Sequence, residues 1–151
     1  MIRVALAGTG SIAAYHLDAL ATIPEARVTH VVGRDRAKAQ ALAASAKVPE
    51  GTDDLDSAMA GADAIVIATP DDTHEALCAR AIAARKAILV QKPMAQDAAS
   101  GRRILAMAEA AGIDLQVSFM HRYFEEFVAA RALHEAGAIG TPLSARMRNA
   151  T

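Results

Sequence analysis

Several shortages in this chain each close off a class of function. One cysteine, Cys78, stands among 151 residues, so an internal disulfide is impossible and a reducing, cytoplasmic setting is expected. The five histidines, His16, His30, His74, His121 and His134, lack tight spacing to cysteines or carboxylates, and no metal site is expected. A net charge of -1 without any block of like charge offers no basic face for a nucleic-acid backbone, so no nucleic-acid partner is expected. No apolar run approaches the roughly 18 residues that a membrane span requires, so no membrane partner is expected either. Residues 1–20 read as a strand and a helix rather than a signal sequence.

What is present suffices for about one domain. Apolar residues make up 53% of the chain, enough for a sizeable core. Short apolar segments at Ile2–Ala7, Arg27–Val32, Ala64–Ala68, Ala87–Gln91 and Asp114–Ser118 read as strands buried on both faces. Helical patterns fall between and after them, at about Ile12–Ile23, Arg36–Ala46, Leu55–Met59, Asp72–Ala84, Asp97–Ala111 and Tyr123–Glu135. Asp35 and Asp54 are placed as N-caps, and Gly112 and Gly137 as C-terminal stops. Cys78, on an Ala-rich helical stretch, reads as packing. Strand and helix in repetition predict an α/β fold with a doubly wound parallel sheet. That sheet is expected to span residues 1–120. Residues 121–151 then read as a connecting helix and, at Leu143–Met147, the first strand of an α+β domain that the chain does not complete.

The densest signal is Gly8-Thr9-Gly10-Ser11-Ile12-Ala13, directly between the first strand and first helix. In that context a G-x-G-x-x-A run is a pyrophosphate cradle. Gly8 permits the turn, Gly10 leaves the backbone bare, small Ala13 lets helix and strand pack closely, and the helix start offers free N–H groups. The plain alternative is a strand-to-helix turn without a ligand.

At the end of the second strand, where an acid would accept from a ribose 2′-hydroxyl, stand Gly33 and Arg34. Arg34, helped by Arg36, would attract a 2′-phosphate, so NADP is the expected cofactor and NAD the alternative. Asp35 reads as a helix cap or as the ribose acceptor. Ligands of open parallel sheets sit beyond the carboxyl ends of the strands. The Thr69-Pro70 turn with His74, the Gln91-Lys92-Pro93 turn and the segment Phe119–Tyr123 follow such ends.

Val66-Ile67-Ala68-Thr69-Pro70 with His74, then Gln91-Lys92-Pro93, then Gly137–Pro142 resemble the Gfo/Idh/MocA oxidoreductases over essentially the whole chain. The resemblance implies a Rossmann domain and a nicotinamide-dependent enzyme that interconverts a hydroxyl and a carbonyl on a sugar, cyclitol or related polyol. It places the pyrophosphate on Thr9–Ile12, and Thr69, Pro70 and His74 near the rest of the cofactor. Gln91 and Lys92 belong to the same cofactor site, and Lys92 reaches the reacting oxygen as the catalytic group. Arg122, at a commonly basic family position, is the candidate substrate contact. Gln91 departs from the family's usual Glu and cannot ionise. The family's Asp-x-x-x-His substrate pair has no counterpart here, so residues 1–151 are expected to bind cofactor but to turn over polyols negligibly, and to self-associate as a homo-oligomer. The competing reading is a catalytically silent nucleotide-binding module. Outside the motif, Lys92 would be a solvated charge before a proline and His74 a structural histidine at a helix start.

Overall fold

The computed structural model describes residues 1–146. Its first unit, Met1–Ser118, holds a six-stranded sheet in the order β3-β2-β1-β4-β5-β6, with every neighbouring pair parallel. The strands are β1 (Ile2–Ala7), β2 (Ala26–Val32), β3 (Glu50–Thr52), β4 (Ala64–Ile67), β5 (Ala87–Gln91) and β6 (Leu115–Ser118). Between them run α1 (Ser11–Ala21), α2 (Arg36–Ser45), α3 (Leu55–Ala60), α4 (His74–Ala83) and α5 (Ala98–Ala111). The strand order steps outward from β1 through β2 to β3, then returns to β4 on the other side of β1. This reversal leaves a crevice at the carboxyl ends of β1 and β4, the place where doubly wound sheets bind ligands.

Alternation along the central strands explains why both sheet faces are covered. Ala5, Ala7, Ile65 and Ile67 point into one apolar cluster with Met59, Cys78 and Ile104 from α3, α4 and α5. Val4, Leu6, Val66 and Ala68 point into the other, with Ala13, Leu17, Ala39 and Ala43 from α1 and α2. Each full burial of a side chain such as Ile65 contributes about 1.5–3 kcal/mol. Cys78 is completely enclosed, and burial pushes its thiol up to about 11.

Helix starts follow the acidic caps. Asp35 accepts from Lys38 N–H at 3.1 Å, Asp54 from Ser57 N–H at 3.0 Å and Asp97 from Ser100 N–H at 2.7 Å. The Asp97 carboxyl is held below its ordinary range by that backbone bond first and the Ser100 hydroxyl second. Gly112, at φ 62°, closes α5 in the left-handed conformation.

Two sequence expectations differ from the structure. β3 was not anticipated: it has three residues, and its pairing with His30–Val32 supplies what its composition lacks. A strand was expected over Leu143–Met147, but residues 143–146 form none, because alternation alone does not make a strand without a neighbour to bond. Met147 lies outside the described residues.

The second unit begins at Phe119. It contains a 3-10 turn, Met120–Tyr123, and α6 (Glu125–Glu135), which buries no residue. His121 lies 4.9 Å from the Phe124 ring and is stacked on Phe127 at 6.0 Å. Among the described residues no helix is long and apolar enough to cross a membrane, and no group of His, Cys, Asp and Glu could hold a metal ion.

Candidate cofactor site

The two glycines of the β1–α1 turn have different jobs. Gly8 has φ 133°, and a Cβ there would lie 2.4 Å from the Ala68 carbonyl oxygen, so the fold itself demands glycine. Gly10 has ordinary extended geometry as the residue before α1, and a Cβ there would meet nothing within 4 Å. The fold therefore tolerates a side chain at Gly10, and the bareness of that position serves whatever enters the space above it.

That space is a cleft of about 420 Å³ lined by Gly8–Ile12 on one side, Val32–Arg34 on the second and Ala68–Pro70 on the third. α1 opens into it without a side-chain cap and without an acid in its first turn. Among the described residues the N–H groups of Thr9, Gly10, Ser11 and Ile12 have no protein acceptor. Unsatisfied donors at the positive end of an 11-residue helix suit an anion. Ala13 is fully buried against the sheet, as its small size allows. At Gly33 a Cβ would come within 2.5 Å of the Thr9 side chain, so this glycine keeps the cleft's second wall close to its first.

Two smaller recesses adjoin the cleft. One, about 210 Å³, is walled by Leu55, Pro70 and Leu77 with Arg34, Asp53 and Arg80 at its edge, a mixture that suits a flat heterocycle. The other is an open depression between Thr9, Arg34, Asp35 and Lys38. Sequence reasoning named Arg36 as the second cation near Arg34. In the structure Arg36 turns to Asp53 at 3.8 Å, and Lys38 lines the depression instead. Asp35 is engaged as the α2 cap and lies 3.8 Å from Lys38 Nζ.

At the neighbouring strand ends the polar residues are tied together. Thr69 and Thr73 hydroxyls are 2.7 Å apart, and the Thr73 hydroxyl donates to the Pro70 carbonyl. His74 is almost completely buried, with Nδ1 2.9 Å from the Pro93 carbonyl oxygen and Nε2 2.9 Å from that of Thr69. Its ring thus lies between the β4 and β5 loops, each nitrogen facing a backbone carbonyl oxygen that can only accept, so that either tautomer of the neutral ring donates to one loop. Lys92 is exposed on a cis Lys92-Pro93 turn, and its ammonium forms no ion pair among the described residues. Its backbone N–H donates to Gln91 Oε1 at 2.7 Å.

Sequence reasoning missed His16, whose Nε2 sits 3.4 Å from the Gln91 amide nitrogen. The pair is 75 residues apart in sequence, and no local pattern could have announced it. Burial lowers the His16 pKa from its ordinary value. Arg122 is exposed in the 3-10 turn of the second unit, its N–H bonded to the Phe119 carbonyl.

Known proteins resemble the chain along most of its length. An inositol 2-dehydrogenase from Saccharopolyspora erythraea is 38% identical over 94% of the chain and 44% of its own length. An oxidoreductase from Agrobacterium radiobacter, solved in complex with NAD+, L-tartaric acid and magnesium, superposes with a TM-score of 0.88 at 27% identity, over 93% of this chain and 42% of its own. The WlbA dehydrogenase from Bordetella pertussis, solved with NADH and UDP-GlcNAcA, gives 0.84 at 27% identity over 92% and 44%. The chain spans less than half the length of these proteins. The oxidoreductase family with an NAD-binding Rossmann fold matches residues 2–119, the stretch that carries the glycine turn, the Thr69-Pro70 loop and Lys92, and the chain belongs to this family, the Gfo/Idh/MocA oxidoreductases.

Proposed function

We propose that the protein binds a nicotinamide dinucleotide along the cleft and belongs to an enzyme that interconverts a hydroxyl and a carbonyl on a sugar, cyclitol or related polyol. The observation that carries this reading is the open Cβ position at Gly10 above an uncapped helix start. Thr9, Gly10, Ser11 and Ile12 would hold the pyrophosphate through backbone N–H groups, with Gly8 and Ala13 setting the turn and the helix packing. Gly33, Thr69 and Pro70 would flank the adenosine half, while His74 would hold the Thr69 and Pro93 carbonyls in place beneath it. The nicotinamide supplies the redox chemistry when bound. Lys92, exposed and without an ionic partner among the described residues, would stabilise negative charge developing on the substrate oxygen, and Gln91 would hold its turn. The inositol dehydrogenase named among the relatives supports a polyol substrate.

NADP is the preferred cofactor in this reading. Arg34 and Lys38 border the depression beside Thr9, and Asp35 is already committed to capping α2. NAD is the alternative, favoured by the NAD+ and NADH complexes of the two structural relatives. Residues 1–120 are then the cofactor domain, and 121–151 lead toward a substrate domain in which Arg122 contacts the polyol. The exposed Val128, Leu133 and Ile139 fit either that domain or a homo-oligomer contact.

Calorimetric titration with both cofactors tests the reading. The expected result is binding of both, tighter for NADP, with Arg34→Ala removing the preference. Gly10→Val should weaken either cofactor by at least about 100-fold, near 2.7 kcal/mol, and leave the circular dichroism spectrum and melting temperature unchanged. Absence of binding below millimolar concentration would reduce the glycine turn to a structural device, and tighter binding of NAD would assign the ribose to Asp35. Where polyol turnover is measured, Lys92→Ala should lower it by about 100-fold or more at retained cofactor affinity.

A further inference from the structure

Gln91 ends β5 almost fully buried, at 6% exposure, and its side-chain amide has different partners at its two ends. The backbone N–H of Lys92 can only donate, so the atom that meets it at 2.7 Å must be the amide oxygen. The amide nitrogen is thereby turned toward His16 Nε2, 3.4 Å away. An amide NH2 can only donate as well. The Nε2 atom of His16 must therefore carry a lone pair, which places the ring proton on Nδ1.

We propose that His16 and Gln91 are positioning residues for the Lys92 turn, and that the direction of their hydrogen bonds makes the hold on Lys92 depend on His16 staying neutral. When Nε2 takes a proton from solvent, His16 and the Gln91 amide confront one another as two donors. Rotation of the amide relieves the conflict by giving its oxygen to His16. The same rotation turns the NH2 group toward the Lys92 N–H, which loses its acceptor. One proton is taken up, and only hydrogen bonds are exchanged.

The surroundings favour the neutral ring. His16 is half-buried, and burial alone lowers its pKa, with no charged side chain contributing. On α1 its titratable neighbours, Tyr15 and Asp18, are exposed. Of the nearby strands, β2 brings Arg27 and His30, the latter held by Thr29 and Glu50. β1 brings Arg3, which is paired with Asp63. β4, β5 and β6 bring no titratable side chain, and Lys92 follows Gln91 as the nearest cation in sequence. No carboxylate among these is paired with His16, and among the described residues the Gln91 amide is its one polar side-chain partner. Glutamate at position 91 would change the logic, because a carboxylate accepts at both ends and could serve the Lys92 N–H and a protonated His16 together.

Nuclear magnetic resonance on the 151-residue chain tests this without turnover, so failure of Lys92 as a catalytic group would leave the outcome untouched. His16 ring nitrogens and the Lys92 amide are followed from pH 8 to pH 5 in the wild type, Gln91→Glu and His16→Ala. In the wild type the neutral ring should carry its proton on Nδ1, and the Lys92 amide should shift with the His16 titration, its intrinsic-rate-corrected hydrogen exchange rising roughly fivefold. In Gln91→Glu, His16 should titrate at higher pH and the Lys92 amide should stay protected throughout. In His16→Ala the Lys92 amide should no longer respond in this range. A neutral ring protonated on Nε2, or a Lys92 amide that ignores the His16 titration in the wild type, would overturn the proposal; the wild-type arm decides this even if a variant fails to fold.

Discussion

α5 and α6 are separated by only 13 residues of the chain and have similar lengths, 14 and 11 residues. α5 starts on the Asp97 side chain, ends on left-handed Gly112, and buries Ser100, Gly101, Ile104 and Ala108. α6 has no side-chain cap and buries nothing, although Phe127, Val128 and Leu133 give it apolar residues of its own. Its order comes from local terms, such as the Arg131–Glu135 ion pair one turn apart at 2.8 Å, worth about 0.3–0.5 kcal/mol at an exposed site. The contrast shows that apolar content in a helix and apolar burial by a helix are separate properties. Only the second one stabilises a fold.

Substitutions at matched positions can break this comparison. Ile104→Ala should destabilise the first unit by about 2–5 kcal/mol in urea denaturation, because the surrounding strands cannot close the cavity. Val128→Ala, at a residue 50% exposed, should change stability by less than about 0.5 kcal/mol. Equal effects would mean that α6 has a partner in solution. An effect between these two is expected for Asp97→Ala, about 1 kcal/mol, since it removes a cap that serves the Ser100 N–H. Introducing Asp at Phe124, where α6 has no side-chain cap, should increase helicity by circular dichroism without moving the melting temperature of the sheet.

The smallest effect concerns pH. Burial holds folded His16 below the 6.5 of the free group, so the unfolded chain takes up this proton first. The contribution of His16 is therefore complete above pH 6.5 and is lost as pH falls toward the folded pKa. Melting temperatures recorded between pH 8 and 5 should show this decline, and His16→Ala should flatten it. The carboxylates with lowered pKa values, Asp63 beside Arg3, Glu75 beside Arg103 and Asp97 at its cap, lose their contributions only at more acidic pH.

Legibility in the sequence followed the range of the forces involved. Asp35 and Asp54 were readable because a cap and the N–H it accepts from are three residues apart; Asp97, read as the first residue of its helix, is instead the cap that accepts from Ser100 N–H. The parallel order was readable because β1, β2, β4 and β5 are apolar runs joined through helices. β3 was not, since Glu50–Thr52 has no apolar run and owes its conformation to β2. The glycine turn revealed the cleft, but only the folded structure separates the steric need at Gly8 from the empty space at Gly10. The His16–Gln91 contact and the turning of Arg36 toward Asp53 depend on residues brought together by the completed sheet.

Cys78 gives the molecule a reporter of its own opening. The thiol is the sole one in the chain, it has no exposed surface, and its pKa of about 11 leaves almost no thiolate near neutrality. A disulfide reagent should therefore react only with molecules in which α4 has come away from β4 and β5. With reclosing faster than chemistry, the labelling rate divided by that of an unstructured thiol reads the equilibrium population of the open form, residue-specifically and without an attached dye.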